Sequence, residues 1–480
     1  MEKFTSPTDF RLKSVKLTPN NGKDPYEIGN IITLFEYGEC VDVPFLSAKM
    51  DIVDGVALLQ TLPIQGGEKV EISIISSFSE EPIDYTLYVW TISNRFARQK
   101  QQTYTLGLIS LEAILNESTR VTKPLSGNPE NILKDLLKNS IKTDKEISTE
   151  PSKFDVKFIP NRRTPFNIMK SITRNSVSTS TKYTSEKDKK DKNKTEKSQG
   201  ETSQSIKGSG GFLFWESKRG YNFFAVDSLC ADDDSEKRPK NLQSKSWGPY
   251  YEALGSQDDD GSDTRLRIYE SYFGSEVDLL QSLRKGKYSS LVVFYNYSTG
   301  QYEEYVYKIK DSYDNMAHLG GQEGLTLVPA NEIEMSEYPT RIMSILLDHE
   351  TWYNGAGPAS PDEKDGSTSP SKFADWQKYY ATQSIARYEL LKNQTCTVVI
   401  PGNPDICAGD KIDIRLVNKV PTKDGRNEPH DTESSGVYLI GDVTHSYDPL
   451  SGSSGKFLTT LRLLRDSYGL KDRPSNHGTK

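Results

Sequence analysis

The sequence has few of the residues from which reactive and metal-binding sites are built. Among 480 residues there are only 4 cysteines and 5 histidines. No two cysteines have the close spacing of a zinc site, and no histidine has a partner at metal-ligand spacing. We therefore expect no bound metal and no cofactor. A chain this poor in cysteine is also typical of a reducing compartment, where thiols stay free.

Long apolar segments and an excess of positive charge are also missing. No window approaches the roughly 18 apolar residues of a transmembrane helix, and the residues after Met1 form no apolar secretion signal. The formal net charge is −7, whereas proteins that coat nucleic acid are normally basic. We expect a protein made in a cytosol that neither inserts into a membrane nor coats DNA.

Motifs of catalysis and ion binding are absent as well. There is no nucleophile elbow, and Gly452–Lys456 is too short for a phosphate-binding loop. Asp258–Gly261 fails as a calcium loop because Arg267 stands where a glutamate ligand belongs. The 67 acidic residues could pair in many ways for glycan hydrolysis, but nothing marks one pair. The sequence predicts no enzyme activity.

What the sequence does contain is aromatic residues and an internal repeat. The 26 tyrosines and 17 phenylalanines favour strands. Gly67–Ile74 and Gly409–Leu416 both read Gly, acid, Lys, β-branched, acid, Ile, polar, aliphatic. An apolar strand is predicted before each copy, at Val56–Leu62 and at 397–400, and two strands follow each copy at nearly the same spacing. The pattern predicts two copies of one antiparallel β-domain.

The segments between the copies have a different pattern. Asn128–Pro129 and Thr164–Pro165 each place proline at the first position of a predicted helix, and Phe212–Trp215 with Tyr221–Val226 predict a hairpin. The predicted fold class is therefore mainly β with α+β insertions, consisting of two duplicated antiparallel β-barrel domains and an α+β middle domain.

The predicted boundaries follow from these changes of pattern. They are a first β-barrel at 1–113, a middle domain at 114–263, a discontinuous second β-barrel at 264–310 and 382–470, an inserted helix and loop segment at 311–381, and a flexible tail at 471–480. The middle domain is interrupted at 176–210, where a lysine run interleaved with acids has too few apolar residues to fold. We expect that insertion to be disordered.

The order of these segments resembles the central baseplate hub protein of contractile-tailed phages of the T-even type. In residues, the resemblance is carried by the C-terminal part of the chain: Ser384–Tyr388 before a strand with Cys396, the turn Pro404–Ile412, and the strand Gly436–Ser446. Ala408 departs from the family pattern, in which proline is expected before the turn glycine.

This resemblance implies a fold, an assembly and partners. The two repeated domains would be tail-tube-like barrels, and a homotrimer would form a pseudo-sixfold ring that joins the sixfold tail tube to a threefold central spike. The implied partners are the chain itself, the spike protein, the tail tube or its initiator, other baseplate proteins and, in passage only, genomic DNA. The implied location is the virion baseplate after assembly in the host cytoplasm. The runner-up is a secreted carbohydrate-binding or glycan-hydrolysing multi-domain β protein.

The repeated strand also supplies candidate surface residues. The apolar residues of each octamer fall on one face, which must be core. Glu71 and Asp413 fall on the other face, and Glu68 and Asp410 lie in the turn before the strand. Because a basic channel would hold DNA phosphates, we expect an acidic set on these or neighbouring strands to face the lumen. Positions on the outer surface or in a subunit contact remain an equal alternative for each of the four.

Overall fold

The computed structural model describes residues 4–62, 64–98, 101–153, 155–179, 209–235, 238–253, 264–274, 278–296, 302–313, 315–321, 335–347, 382–418, 430–452 and 455–471. The strands are β1 (Phe10–Thr18), β2 (Tyr26–Glu27), β3 (Ile32–Cys40), β4 (Ser47–Asp54), β5 (Lys69–Ser76), β6 (Ser79–Arg98), β7 (Gln101–Ile109), β8 (Leu125–Gly127), β9 (Ile147–Thr149), β10 (Val156–Phe158), β11 (Val177–Ser178), β12 (Ser209–Gly210), β13 (Phe212–Ser217), β14 (Gly220–Ala225), β15 (Ser246–Glu252), β16 (Arg267–Ile268), β17 (Glu270–Phe273), β18 (Ser289–Asn296), β19 (Tyr302–Lys308), β20 (Arg341–Leu347), β21 (Gln394–Pro401), β22 (Lys411–Arg415), β23 (Gly436–Asp448) and β24 (Lys456–Arg465).

Short helices connect and cover these strands. They are α1 (Leu58–Thr61), α2 (Leu111–Ser118), α3 (Pro129–Asp135), α4 (Pro165–Arg174), α5 (Val226–Cys230), α6 (Leu279–Lys285), α7 (Ile309–Tyr313) and α8 (Ser384–Leu391), with 3-10 turns at Gly29–Ile31 and Thr264–Leu266 and a π-helical turn at Leu136–Ile141. No helix in the described part of the chain is both long and apolar enough to cross a membrane.

Both β-domains belong to one sheet of 14 strands. In the first domain the neighbouring strands are β3, β4, β7, β6, β5 and β1, and in the second they are β17, β21, β24, β23, β22 and β15. The registers also agree, since Ala48 lies opposite Leu108 in the first domain as Cys396 lies opposite Leu463 in the second. The outermost strands differ, because β1 is antiparallel to β5 whereas β15 is parallel to β22.

The repeated octamer begins in the same way in both domains. Gly67 donates its N–H to the carbonyl of Val89 at 2.7 Å, and Gly409 donates to the carbonyl of Ile440 at 2.9 Å. Each acceptor is followed by a β-bulge against the next strand, and bulges are reproduced only when the local backbone path is the same. The predicted fold class, with two copies of one antiparallel β-domain, is confirmed.

Proline-started helices and the predicted hairpin build the middle part of the chain. α3 begins at Pro129 after Asn128, and α4 begins at Pro165 after Thr164, as predicted. β13 and β14 form the expected hairpin, which β9 extends on its parallel edge. The apolar sides of α3, α4 and this small sheet form one core cluster, separate from the cores of the two β-domains.

Two segments lie in other units than the sequence suggested. β15, within the range predicted for the middle domain, pairs with β22 because Tyr250 is buried in the core of the second β-domain. The hairpin of β18 and β19, predicted as part of the second β-domain, forms a separate sheet with β20. Its Tyr305 and Tyr307 pack instead into the core that contains the middle-domain helices.

The strand predicted at Val56–Leu62 is wrong, because this segment contains the helix α1 instead. Leu58 and Leu62 are both buried, and their spacing of four places them on one face of a helical turn. The strand that corresponds to β21 is β4, which precedes this segment. The expected disorder within 176–210 concerns residues that lie mostly outside the described ranges. At the two ends of the segment 176–210, the short strands β11 and β12 pair with each other.

Candidate assembly interface

Two of the four predicted surface acids are buried in the turns that start the repeated strands. Glu68 is 2% exposed and Asp410 is 0% exposed. The Glu68 carboxylate accepts hydrogen bonds from the backbone N–H of Gln65 at 2.8 Å and of Gly66 at 2.9 Å. Such a carboxylate stabilises the turn by satisfying N–H groups that would otherwise lack partners.

The Asp410 carboxylate also accepts backbone hydrogen bonds, and it has side-chain donors as well. It accepts from the backbone N–H of Lys245 at 2.9 Å, from the indole of Trp247 at 2.8 Å, and from the Arg219 guanidinium at 2.7 and 2.9 Å. These contacts tie β15 and the β13–β14 hairpin to the second domain. Burial therefore removes Glu68 and Asp410 from the residues that could face a channel.

Glu71 and Asp413 lie on the face of β5 and β22 that points away from the core, as the alternation predicted. The Glu71 carboxylate is 2.6 Å from the Lys69 ammonium, and the Asp413 carboxylate is 2.7 Å from the Arg415 guanidinium. Burial raises the pKa of Asp413 above its ordinary value. The two acids occupy equivalent positions in separate domains, so no common site is formed within the chain.

The contact between the domains is a pairing of strands that sequence reasoning did not predict. β23 is 13 residues long, and its second half pairs with β3 of the first domain from Asp442 opposite Cys40 to Tyr447 opposite Phe35. Tyr447 is buried in the first-domain core, where its hydroxyl lies 2.9 Å from the hydroxyl of Tyr85. In the sequence, the only sign that this hairpin extends beyond its own domain is that the strand pattern of β23 continues over 13 residues.

We call this extension the second-domain arm, consisting of Asp442–Asp448 of β23 and Lys456–Arg462 of β24. It completes the first domain by continuing the ladder of hydrogen bonds at the β3 edge and by filling its core with Tyr447 and Phe457. The two aromatic rings stack with centroids 4.1 Å apart. Strand addition of this kind joins two domains through main-chain bonds and alternate side chains.

Glu39 is the buried acid at this contact between the domains. It lies on β3 and accepts hydrogen bonds from the backbone N–H of Ala408 at 2.8 Å, the backbone N–H of Lys218 at 2.7 Å and the hydroxyl of Tyr37 at 2.8 Å. Burial raises the pKa of Glu39 to about 7, against the opposing effect of these hydrogen bonds. Glu39 therefore connects both β-domains and the middle domain through one carboxyl group.

Glu39→Gln should remove a pH dependence of stability. Because the pKa of Glu39 is higher in the folded chain (about 7) than its ordinary value of 4.5, its stabilising effect is complete below the ordinary pKa and is lost as pH rises to about 7. Between pH 7.5 and pH 5 the wild type should therefore gain about 2–3 kcal/mol relative to the variant. Urea unfolding at both pH values measures this, with the half-buried Glu36→Gln on the same strand as control. Equal slopes for wild type and Glu39→Gln would contradict the assignment.

A second buried ionic cluster fixes the end of β24. Arg387, on α8, donates to the carboxylate of Asp227 at 2.8 Å, to that of Asp466 at 2.9 Å and to the carbonyl of Ala317 at 2.7 Å. Burial alone would raise the pKa of Asp466, but the charge of Arg387 and the hydrogen bond with His318 outweigh it and hold that pKa well below its ordinary value. This cluster joins four separate segments of the chain.

The face of β3, β4, β7, β23 and β24 that points away from the cores is polar and almost neutral. Its charged side chains are four acids and three bases: Glu36, Asp51, Asp442, Asp448, Lys49, Lys456 and Arg462. Arg462 and Asp442 form an ion pair at 2.6 Å, and Glu36 lies opposite Lys49 in the ladder. Small hydroxyl side chains such as Thr105, Thr444 and Thr460 occupy much of the rest. This face carries little unpaired positive charge.

Nothing in the described ranges forms a metal centre, since no group of three or more His, Cys, Asp or Glu side chains there is arranged to hold an ion. Burial lowers the pKa of His445 to about 3, so the ring is neutral, and it shares a hydrogen bond of 2.9 Å with Thr459. His318 contacts the carboxylate of Asp466 at 2.8 Å and so belongs to the cluster around Arg387. These histidines have structural partners.

No protein-family model and no curated protein matches the sequence. Similar solved structures include a tail protein from Neisseria meningitidis MC58, at 12% identity and a TM-score of 0.48 over 95% of this chain and 97% of that chain. The 43 kDa tail protein of prophage MuSo2 from Shewanella oneidensis has 8% identity and a TM-score of 0.47 over 95% and 99%. The E. coli c3393 protein, a component of the type VI secretion system, has 9% identity and a TM-score of 0.40 over 97% and 79%. Two of these neighbours are tail proteins, one of them from a prophage, and the third is a component of a secretion system.

Proposed function

We propose that this chain is the structural hub of a contractile phage-tail baseplate and acts as a homotrimer without enzymatic activity. The observation that carries the proposal is the contact of the two β-domains. They share strand order and register, and the second-domain arm pairs with the β3 edge of the first domain. Two equivalent domains that pair edge to edge form a ring when the same contact is repeated by symmetry and the rotation closes.

Threefold symmetry with two copies per chain gives six near-equivalent positions. The six near-equivalent domains of such a ring match a sixfold tail tube or its initiator protein on one side. The true threefold symmetry of the trimer matches a threefold central spike. The proposed partners are therefore the chain itself, a spike protein, a tube protein and other baseplate proteins. The proposed location is the virion, with assembly in the host cytoplasm.

The ring would leave a channel, and the polar face of β3, β4, β7, β23 and β24 would supply part of its lining. That face has four acids and three bases, and Arg462 is paired with Asp442. Few unpaired cations there would be able to displace the counterions of the phosphates, so DNA could pass without being bound. Among the acids named from the sequence, Glu71 and Asp413 lie on β5 and β22, to the side of these strands, and we propose the neighbouring acids Glu36, Asp51 and Asp442 as the lumen set.

The mass of the purified chain in solution tests this function. We expect sedimentation equilibrium to give a species of about three times 54.0 kDa, because each subunit would present two edges that only another subunit can cover. A secreted carbohydrate-binding or hydrolytic β protein would instead sediment as a monomer and bind glycans. A monomer at the highest attainable concentration, or a stable assembly of any other number, would contradict the proposed ring.

A further inference from the structure

The first domain has an arm that corresponds to the second-domain arm. It consists of Thr91–Arg98 of β6 and Gln101–Gly107 of β7, and we call it the first-domain arm. The registers match: Ser93 lies opposite Thr105 as Thr444 lies opposite Thr460. One additional bulge lies between Ser93 and Phe96.

The outer edge of this arm is open. Among the described strands, residues 91–98 of β6 pair only with β7, and residues 93–98 are all exposed. Phe96 is 56% exposed, and Trp90, at the base of the arm, is 61% exposed. Unpaired N–H and C=O groups beside exposed aromatic side chains make this edge able to pair with another strand.

The second domain has the matching open edge. β17 corresponds to β3, because Phe273 lies opposite Cys396 of β21 as Tyr37 lies opposite Ala48 of β4. Of the described strands β17 pairs with β21 alone. Tyr272 is 69% exposed on this edge. The position on β3 that the second-domain arm occupies is thus uncovered on β17.

The two open edges of one chain cannot meet each other within that chain. Along the sheet they are separated by the order β17, β21, β24, β23, β3, β4, β7 and β6, which is seven steps between neighbouring strands. At about 4.8 Å for each step, the separation is roughly 34 Å along the sheet. A first-domain arm that pairs with β17 therefore has to come from a second copy of the chain.

We propose that the first-domain arm of one copy adds as an antiparallel strand to β17 of the next copy. This inference rests on the proposed trimer and identifies its contact. The intrachain pairing of β23 with β3, transferred through the matched registers, sets the register of the new pairing. Ser93 lies opposite Gly274, Phe96 opposite Tyr272, and Arg98 opposite Glu270.

The side chains brought together by this register fit one another. Phe96 and Tyr272 are aromatic, and an aromatic pair across two strands stabilises a sheet. Arg98 and Glu270 have opposite charges. Gly274 takes the position that Gly38 has on β3, where a strand already passes on each side. None of these matches follows from the strand order alone, so they support the register independently.

Closure of the ring follows from the same pairing. Each chain contributes eight strands between β17 and β6, so three chains give a closed sheet of about 24 strands. With strands about 4.8 Å apart and tilted by about 40°, its diameter is about 45–50 Å at the backbone. A ring of this width has room for side chains and for a DNA duplex in the channel.

An engineered disulfide tests the pairing. Phe96→Cys combined with Tyr272→Cys places two thiols on directly opposite residues, about 4.5–5.5 Å apart between Cα atoms, which suits a disulfide. The register control is Phe96→Cys with Glu270→Cys, two residues out of register and about 7–8 Å apart. Each single variant controls for the four native cysteines, of which only Cys40 is not buried. All the replaced side chains are exposed, and thermal unfolding checks that the variants fold.

The expected result is a covalent trimer on oxidation of the Phe96→Cys, Tyr272→Cys variant and little cross-linking of the register control. A trimer in sedimentation that does not cross-link through 96 and 272, or that cross-links equally through 96 and 270, would overturn the pairing and leave the trimeric function standing. Cross-linking in register that stops at dimers or continues beyond trimers would support the pairing and overturn the trimeric ring. A chain that stays monomeric and does not cross-link would overturn both.

A charge exchange provides a second measurement of the same contact. Arg98→Glu alone should weaken self-association about tenfold, because two carboxylates would then face each other across the new pair of strands. Arg98→Glu combined with Glu270→Arg should restore association. Sedimentation at several ionic strengths gives the association constants, and the single variant should lose most at low salt. Failure of the double variant to recover association would count against the register.

Discussion

Replacing Arg387 by methionine should lower the free energy of unfolding by about 3–5 kcal/mol. The guanidinium is completely buried and bridges Asp227 and Asp466, which are also buried. Methionine fills a similar volume but leaves two carboxylates in the interior without their shared cation. The loss should be visible as a lower midpoint in urea unfolding at neutral pH.

The difference in free energy of unfolding between wild type and Arg387→Met should also depend on pH. The pKa of Asp466 is held below its ordinary value in the folded chain, so the stability it contributes is present above the ordinary pKa of about 3.9 and is lost as pH falls below that value. The difference between wild type and Arg387→Met should therefore be largest at neutral pH and should narrow at about pH 4 and below. A difference that grows on acidification would contradict this account.

Two further variants separate charge from packing. Arg387→Met with Asp227→Asn should recover part of the loss, because one of the two buried charges is removed. Arg219→Met is the matched control, since Asp410 keeps hydrogen bonds from Lys245 and Trp247 after the guanidinium is gone. Its expected cost is about 1–2 kcal/mol. If Arg219→Met costs as much as Arg387→Met, the shared cation is not the cause.

Gly409→Ala should be much more destabilising than Gly67→Ala, although the two glycines occupy equivalent positions in the repeat. Their φ angles are +87° and +88°, so alanine meets the same backbone strain of about 1–2 kcal/mol at both sites. A Cβ at Gly409 would lie 2.4 Å from Cζ2 of Trp215, whereas a Cβ at Gly67 would come no closer than 3.4 Å, to the amide nitrogen of Asn20. The clash should add about 1–3 kcal/mol at Gly409 only.

Chemical unfolding of the two alanine variants measures the difference. Trp215→Phe in the Gly409→Ala background should relieve part of the extra cost by making room, at the loss of the indole hydrogen bond to the Ala408 carbonyl. Equal destabilisation by Gly409→Ala and Gly67→Ala would show that backbone strain, and not Trp215, dominates at both sites.

Much of each β-domain could be predicted because its determinants are local in sequence. The octamers at Gly67 and Gly409 predicted the glycine turn, the strand that follows and the buried face, and all three are present. Pro129 and Pro165 predicted helix starts for the same reason, since proline fixes one backbone angle and needs no N–H partner. β15 was assigned to the wrong unit because its parallel partner β22 lies far along the chain.

The candidate surface residues show where local pattern stops being informative. Alternation placed Glu71 and Asp413 on the outer face correctly, but it could not show that Glu68 and Asp410 are buried by hydrogen bonds to backbone N–H groups. Nor could it find Glu39, whose partners Lys218 and Ala408 come from two other units. Burial of an acid depends on which groups are brought to it, and a single strand does not contain that information.

By itself, the sequence determined the duplication, the mainly β fold and the positions of the repeated turns, because glycine geometry, proline geometry and two-residue alternation act over a few neighbouring residues. Only the tertiary structure decided how the domains join. The second-domain arm pairs with β3 hundreds of residues away in the sequence, and Gly409 differs from Gly67 only because Trp215 packs on it. Such contacts arise between distant segments whose meeting depends on the packing of the whole chain.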